Sequence, residues 1–177
     1  AGYLLIGVIA ALSVPAAANA VWFYLFTYLL ASMAVFGVMA HLAGEDDTAQ
    51  ELDQYERLAK DRPFLGAILA VGIGSLAGIP PLAGFMGKLL IFVAAFQAHL
   101  YWLLLVAIGG VVLSIYYYFG WIKAAFFETW SPNPAETVTR STASQPTLVS
   151  GAVLTILAVL TVLLGFYQEP LSRWLLS

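Results

Sequence analysis

Long apolar blocks separated by short polar ones set the pattern of this chain throughout. The first, over residues 1–12, would be about 16 Å long as a helix, roughly half of a 30 Å hydrocarbon core, so it reads as the tail of a truncated helix. It lacks the charged leader of a signal peptide, and the chain reads as part of a longer one. Ser13, Pro15 and Asn19 predict a short turn. Residues 20–42 are then apolar without interruption and long enough to cross a bilayer, with Trp22, Phe23 and Tyr24 near the start as an interfacial belt.

The pattern reverses over 43–62, where Glu45, Asp46, Asp47, Glu51, Asp53, Glu56 and Asp61 stand with Arg57, Lys60 and Arg62. Such a segment belongs in water or among headgroups. Leu52, Tyr55, Leu58 and Ala59 recur at helical spacing, as in a short amphipathic connecting helix at the surface; a solvated acidic loop fits the same residues.

Residues 63–98 are apolar again, but Gly78, Pro80, Pro81 and Gly84 stand in their middle. A proline inside a helix removes a backbone donor, and its ring collides with the carbonyl four residues back, here those of Leu76 and Ala77. Two half-helices are therefore expected, over about 64–77 and 83–98. Each is only about 21–24 Å long, short of the hydrocarbon thickness, so together they make one interrupted crossing. Residues 101–127 cross back, with Gly109 and Gly110 allowing close helix contact. A polar loop over 128–146 leads to a last crossing over 147–168. The fold class is thus an all-α polytopic membrane protein of about five transmembrane helices, one of them discontinuous.

Composition agrees: 62% of the 177 residues are hydrophobic and 10% charged, against about 25% charged in soluble domains. A net charge of -3 with scattered basic residues leaves no footprint for nucleic acid. The absence of cysteine excludes disulfides, thiolate zinc sites and iron–sulfur ligation by these residues. Counting 63–98 as one crossing puts Arg57, Lys60, Arg62, Lys123 and Arg140 on one side of the membrane and Arg173 on the other. The positive-inside rule makes the first side cytoplasmic.

Lys88 is the one candidate for chemistry that composition cannot absorb, since the residues between Arg62 and Lys123 include no other Asp, Glu, Lys or Arg. A lysine at bilayer depth costs several kcal/mol unless it meets a polar cavity, an acid or a way to lose its proton. It needs a partner outside its own local segment. The break supplies the setting, because freed carbonyls and amides there must line protein or water, and such breaks are where transporters meet ions. Lys88 lies about two turns beyond Pro81 and is expected to share a hydrated pocket with it as a proton relay. The alternative is a snorkelling lysine beside a merely kinked helix. His41 and His99 fall near crossing ends, where interfacial roles compete with relay roles; His99 follows the Lys88 half-helix and could pass protons to the outer face. Lys123 fits snorkelling or the inner end of a proton path, with Glu128 as its neutralising neighbour. Gly72, Gly74 and Gly78 fit helix packing better than phosphate binding.

The stretch Ser75-Leu-Ala-Gly-Ile-Pro-Pro-Leu-Ala-Gly-Phe-Met-Gly-Lys88, followed by Gln97-Ala98-His99-Leu100 and Tyr116-Tyr117-Tyr118, closely resembles the N subunits of bacterial proton-pumping NADH:quinone oxidoreductase, respiratory complex I. The opening Ala1-Gly2-Tyr3-Leu4-Leu5-Ile6-Gly7 is similar as well, so the resemblance covers the whole chain as the C-terminal portion of a longer subunit. The L and M subunits and multisubunit sodium/proton antiporters share the Gly-Ile-Pro-Pro and Gly-Phe elements. The Gln-Ala-His and triple-tyrosine context, and an end directly after a final helix, point to N.

The resemblance implies an antiporter-like fold of inverted repeats, of which this chain would supply the second repeat and a final helix, in the bacterial inner membrane. Loops 43–62 and 128–146 would be cytoplasmic and the C-terminus periplasmic. It also implies that Lys88 belongs to a proton half-channel, and that the chain holds no cofactor. NADH, FMN, iron–sulfur clusters and quinone are expected in other subunits, making this a non-redox part of a translocase that is not catalytic alone. The partners implied are neighbouring antiporter-like and small membrane subunits, the N-terminal part of the same subunit, and lipids. A subunit of a sodium/proton antiporter and a purely structural membrane-arm subunit are the alternatives.

Overall fold

The computed structural model describes residues 2–43, 55, 58–126 and 148–167. Its elements are α1 (Gly2–Ala11), α2 (Ala17–Ala43), α3 (Leu58–Asp61), α4 (Pro63–Ala77), α5 (Ala83–Gln97), α6 (Tyr101–Phe126) and α7 (Leu148–Phe166). Three of these are long and apolar enough to cross a membrane, α2, α7 and the Tyr101–Lys123 part of α6. The shorter apolar helices are α1, α4 and α5. These are the complete and the partial or interrupted crossings expected from the sequence. The amphipathic connector falls mostly outside the described residues; the described part is the single turn of α3 and Tyr55.

One boundary moves. Asn19, expected in the turn, lies in the first turn of α2, which begins at Ala17 directly after Pro15 and Ala16. Proline tolerates the position just ahead of a helix, and the alanines that follow are the strongest helix formers, so the helix starts early.

α2 is the spine of the molecule. α4 packs along its C-terminal half, where a β-carbon on Gly72 would lie 2.7 Å from Val35 Cγ2 and 3.2 Å from the Ala31 carbonyl oxygen. α5 packs along its N-terminal half, with Gly87 against Tyr24 and Thr27. Further along α5, Ile91 clusters with Ala20 and Tyr24, and Ala94 with Ala17. Rising residue numbers in α4 and then α5 thus meet falling numbers in α2. The two half-helices lie end to end, antiparallel to one continuous partner, which is the geometry of a single interrupted crossing.

The largest apolar core joins the C-terminal half of α2 to α4, the connector, α6 and α7, through Val38, Leu42, Tyr55, Leu58, Leu69 and Leu154. Tyr55 packs edge-on against Trp121 with ring centroids 5.3 Å apart, tying the connector to the end of α6. Burial pushes the Tyr55 hydroxyl above its usual pKa, so it stays protonated. Lys60 and Arg62 on the connector therefore lie at the same end of the bundle as Lys123. Gly37 of α2 admits Leu154 of α7, and the other end of α7 presents Gly165 to the backbone of Pro81 and Leu82. The close contact expected of Gly109 is not made among the described residues, whereas a β-carbon on Gly110 would stand 3.3 Å from the Tyr3 hydroxyl.

Candidate functional site

The break forms because α4 is stopped by glycine and cannot be resumed by proline. Gly78 has φ +87°, a left-handed conformation that costs a β-carbon-bearing residue about 1–2 kcal/mol. Its N–H donates to the carbonyls of Gly74 and Ser75 at 3.0 Å, and the Ile79 N–H donates to Gly74 at 2.9 Å. This closing pair of bonds is the usual glycine terminator of a helix. The Pro80–Pro81 bond is cis, and Leu82 N–H reaches back to the Ile79 carbonyl at 3.0 Å before α5 begins.

A helix leaves its last four carbonyls without intrahelical partners. In α4 the terminator satisfies Gly74 and Ser75, leaving Leu76 and Ala77, the two carbonyls singled out by the proline offset. Lys88 satisfies both: its Nζ donates to the Leu76 carbonyl at 2.8 Å and the Ala77 carbonyl at 2.9 Å. The side chain is 5% exposed, and its amine lies 5.3 Å from the centroid of the Tyr3 ring of α1, within the range of a cation–π contact. Gly78 has a second use here, because a β-carbon on it would sit 3.2 Å from both Lys88 Cδ and Nζ. Glycine thus both turns the chain and leaves the channel through which the lysine reaches across. Gly78 thus stands at the break with the Lys88 side chain packed against it, while Gly72 packs against α2.

The partner of Lys88 lies outside the lysine's own local segment, in the other half of the same interrupted crossing, because a broken helix end is itself an acceptor. Asp61, the one carboxylate among the described residues, lies in the connector beyond the start of α4. Among the described residues, one surface hollow is lined by Tyr116, Tyr117 and Phe119 to Lys123 and another by residues of α2 and α5 with Ala16, and Lys88 lines neither.

Two residues complete the site that sequence reading passed over. Ser75, 1% exposed, accepts the Gly84 N–H on its hydroxyl oxygen at 3.0 Å. Gly84 lies so close to the Ser75 carbonyl that a β-carbon there would collide with it. Tyr3 reaches Lys88 from α1 while its hydroxyl donates to the Ala107 carbonyl of α6 at 3.4 Å. Ser75 carried no signal beyond its place at the head of the quoted motif, and Tyr3 none that related it to Lys88.

The remaining candidates are not gathered at the break. His99 is eleven residues beyond Lys88, about 16 Å along the helix axis. It closes α5 in a left-handed conformation, φ +58°, with its N–H on Phe96 and the Leu100 N–H on Ala95. Its Nδ1 lies 2.8 Å from the exposed Tyr101 hydroxyl. His41 is in the last turn of α2 and Lys123 in the last turn of α6, toward the opposite end. Glu128 lies outside the described residues.

Comparison with known proteins agrees with this geometry. The family described as "NADH:quinone oxidoreductase/Mrp antiporter, TM" matches residues 1–114. The chain is 66% identical over 178 residues to NADH-quinone oxidoreductase subunit N 1 of Opitutus terrae, covering 100% of this chain and 35% of that relative. It is 40% identical to subunit N 2 of Acidobacterium capsulatum, covering 99% of this chain and 34% of the relative. The chain thus spans about a third of the length of these relatives. Among solved structures, a chain of respiratory complex I from Thermus thermophilus with bound aureothin superposes with a TM-score of 0.76 at 27% identity, covering 97% of this chain and 36% of that one. A chain of the Mrp complex from Dietzia sp. DQ12-45-1b gives 0.77 at 23% identity, covering 96% and 38%, a likeness of fold. A matched family over most of the length, apolar spanning helices and an interrupted crossing holding a buried lysine lead to one conclusion: the chain belongs to the NADH:quinone oxidoreductase/Mrp antiporter family of membrane proteins.

Proposed function

We propose that this chain forms the lysine-bearing part of a proton-translocating subunit of an NADH:quinone oxidoreductase, and that Lys88 is the group in it that takes up and releases protons. The observation that carries this reading is the seat of the Lys88 amine on the Leu76 and Ala77 carbonyls at a helix break. An ammonium has three N–H donors, and a neutral amine two N–H groups and a lone pair. Two carbonyl acceptors suit either state, so the third position on nitrogen is where a proton arrives or leaves while the seat persists. The 66% identity to a subunit N supports the oxidoreductase setting; the likeness to the Mrp complex concerns the fold and does not favour sodium exchange.

In this reading the chain is a non-redox part of the translocase. NADH, FMN, iron–sulfur clusters and quinone are held by other subunits, and the partners are the neighbouring membrane subunits, the rest of the same subunit, and lipids. The location is the bacterial inner membrane. The shared end of Lys60, Arg62 and Lys123 supports a cytoplasmic assignment for 43–62 and 128–146, with the C-terminus periplasmic. His99, with Tyr101, stands at the opposite end as the position from which protons could leave; His41, Lys123 and Glu128 belong to the inner end.

The test is Lys88→Met in the complete complex, reconstituted in vesicles. The expected result is normal assembly with a large loss of proton pumping and of the coupled quinone reduction. Pumping at the wild-type rate would overturn the proposal, and failure to assemble would give Lys88 a structural role instead.

A further inference from the structure

The two half-helices cap one another. The first turn of α5 needs acceptors for its free N–H groups, yet its preceding residue, Leu82, has no side-chain oxygen and makes no capping bond. The acceptor comes from across the break, as Ser75 Oγ of α4 takes the Gly84 N–H at 3.0 Å. In the other direction Lys88 of α5 satisfies the last carbonyls of α4. Gly84 and Lys88 are four residues apart, one turn on the same face of α5, and their partners Ser75, Leu76 and Ala77 are consecutive. The packing of α5 on α2 sets its general position, and the ties to α4 act on the fine register of its first turns. Two ties one turn apart constrain both the height and the rotation of that end of α5.

We infer that Ser75 is a positioning residue for Lys88: by holding the Gly84 N–H, its hydroxyl sets the register of α5 that places the Lys88 amine on the Leu76 and Ala77 carbonyls. The role rests on the proposed function of Lys88 but is separable from it. The absence of a β-carbon at Gly84 is part of the same device, since it lets the backbone of α5 close onto Ser75. The Tyr3 ring, 5.3 Å from the amine, adds a contact from α1 that Ser75 does not control.

The experiment uses the complete complex with Ser75→Ala, which removes the acceptor and little else, and Ser75→Thr, which keeps it. In Ser75→Ala, assembly is expected to be normal and pumping to fall about fivefold, the equivalent of one net hydrogen bond. A density map of that variant should show the Lys88 amine withdrawn from both carbonyls with the rest of the fold unchanged. Ser75→Thr should restore pumping and the seat of the amine. Wild-type pumping in Ser75→Ala, an amine still resting on both carbonyls, a Thr variant that fails to restore pumping, or failure of Ser75→Ala to assemble would each overturn the inference. If Lys88→Met pumps normally, the proton-relay reading fails; if it does not pump and Ser75→Ala does, only the role of Ser75 fails.

Discussion

Lys88, Gly78 and His99 show how differently single residues declare themselves. A lone cation in an apolar run identifies itself by the cost of its burial, and Lys88 was legible for that reason. The carbonyls left free at the break were legible too, because the position of a proline dictates which carbonyls lose their donors; that Lys88 takes them was not. Ser75 was not, since a bond between a hydroxyl and an amide nine residues away depends on how the chain refolds after the break. Gly78→Ala is expected to destabilise by about 1–2 kcal/mol through its positive φ, and to crowd the lysine in addition. The check is the yield and melting temperature of the assembled complex, with pumping falling more than the yield. His99 has a complete structural account as the left-handed end of α5. His99→Gly keeps that turn and removes the imidazole, so near-normal assembly with reduced pumping is expected; unchanged pumping in the assembled complex would leave His99 only its structural role at the end of α5.

Among the elements, the crossings were legible from block length alone, since bilayer thickness sets how many apolar residues a helix requires. The interruption was legible because two adjacent prolines admit no regular helix. Packing was less so: Gly109 and Gly110 look alike in sequence, yet a β-carbon on Gly110 would stand against the Tyr3 hydroxyl and one on Gly109 would meet nothing within 4 Å among the described residues. The part played by α7 was also hidden, because Gly165 is one small residue in an apolar run and gives no sign that it backs the break. Gly165→Ala would drive a methyl group into the Pro81 carbonyl, and overpacking of this kind typically costs about 1–3 kcal/mol. The expected outcome is an assembled complex with reduced thermal stability and reduced pumping, measured on the same preparation; unchanged behaviour would mean that the last turn of α7 yields freely.

For the whole molecule, the end-to-end placement of α4 and α5 along α2 supports the proposed topology, in which the two short helices count as one passage. Cysteine introduced in place of Lys60 is expected to react with a membrane-impermeant thiol reagent from the cytoplasmic face, and in place of His99 from the opposite face. Labelling of both from one side would contradict a single interrupted crossing.

The seat of Lys88 carries a last consequence. The C-terminal end of α4 bears the negative pole of the helix dipole, roughly half an elementary charge, and it is this pole, with no carboxylate from the described residues, that holds the ammonium. A full counter-ion would hold a cation firmly against displacement, whereas a cation resting on a fractional pole yields more readily to the electric field of its surroundings.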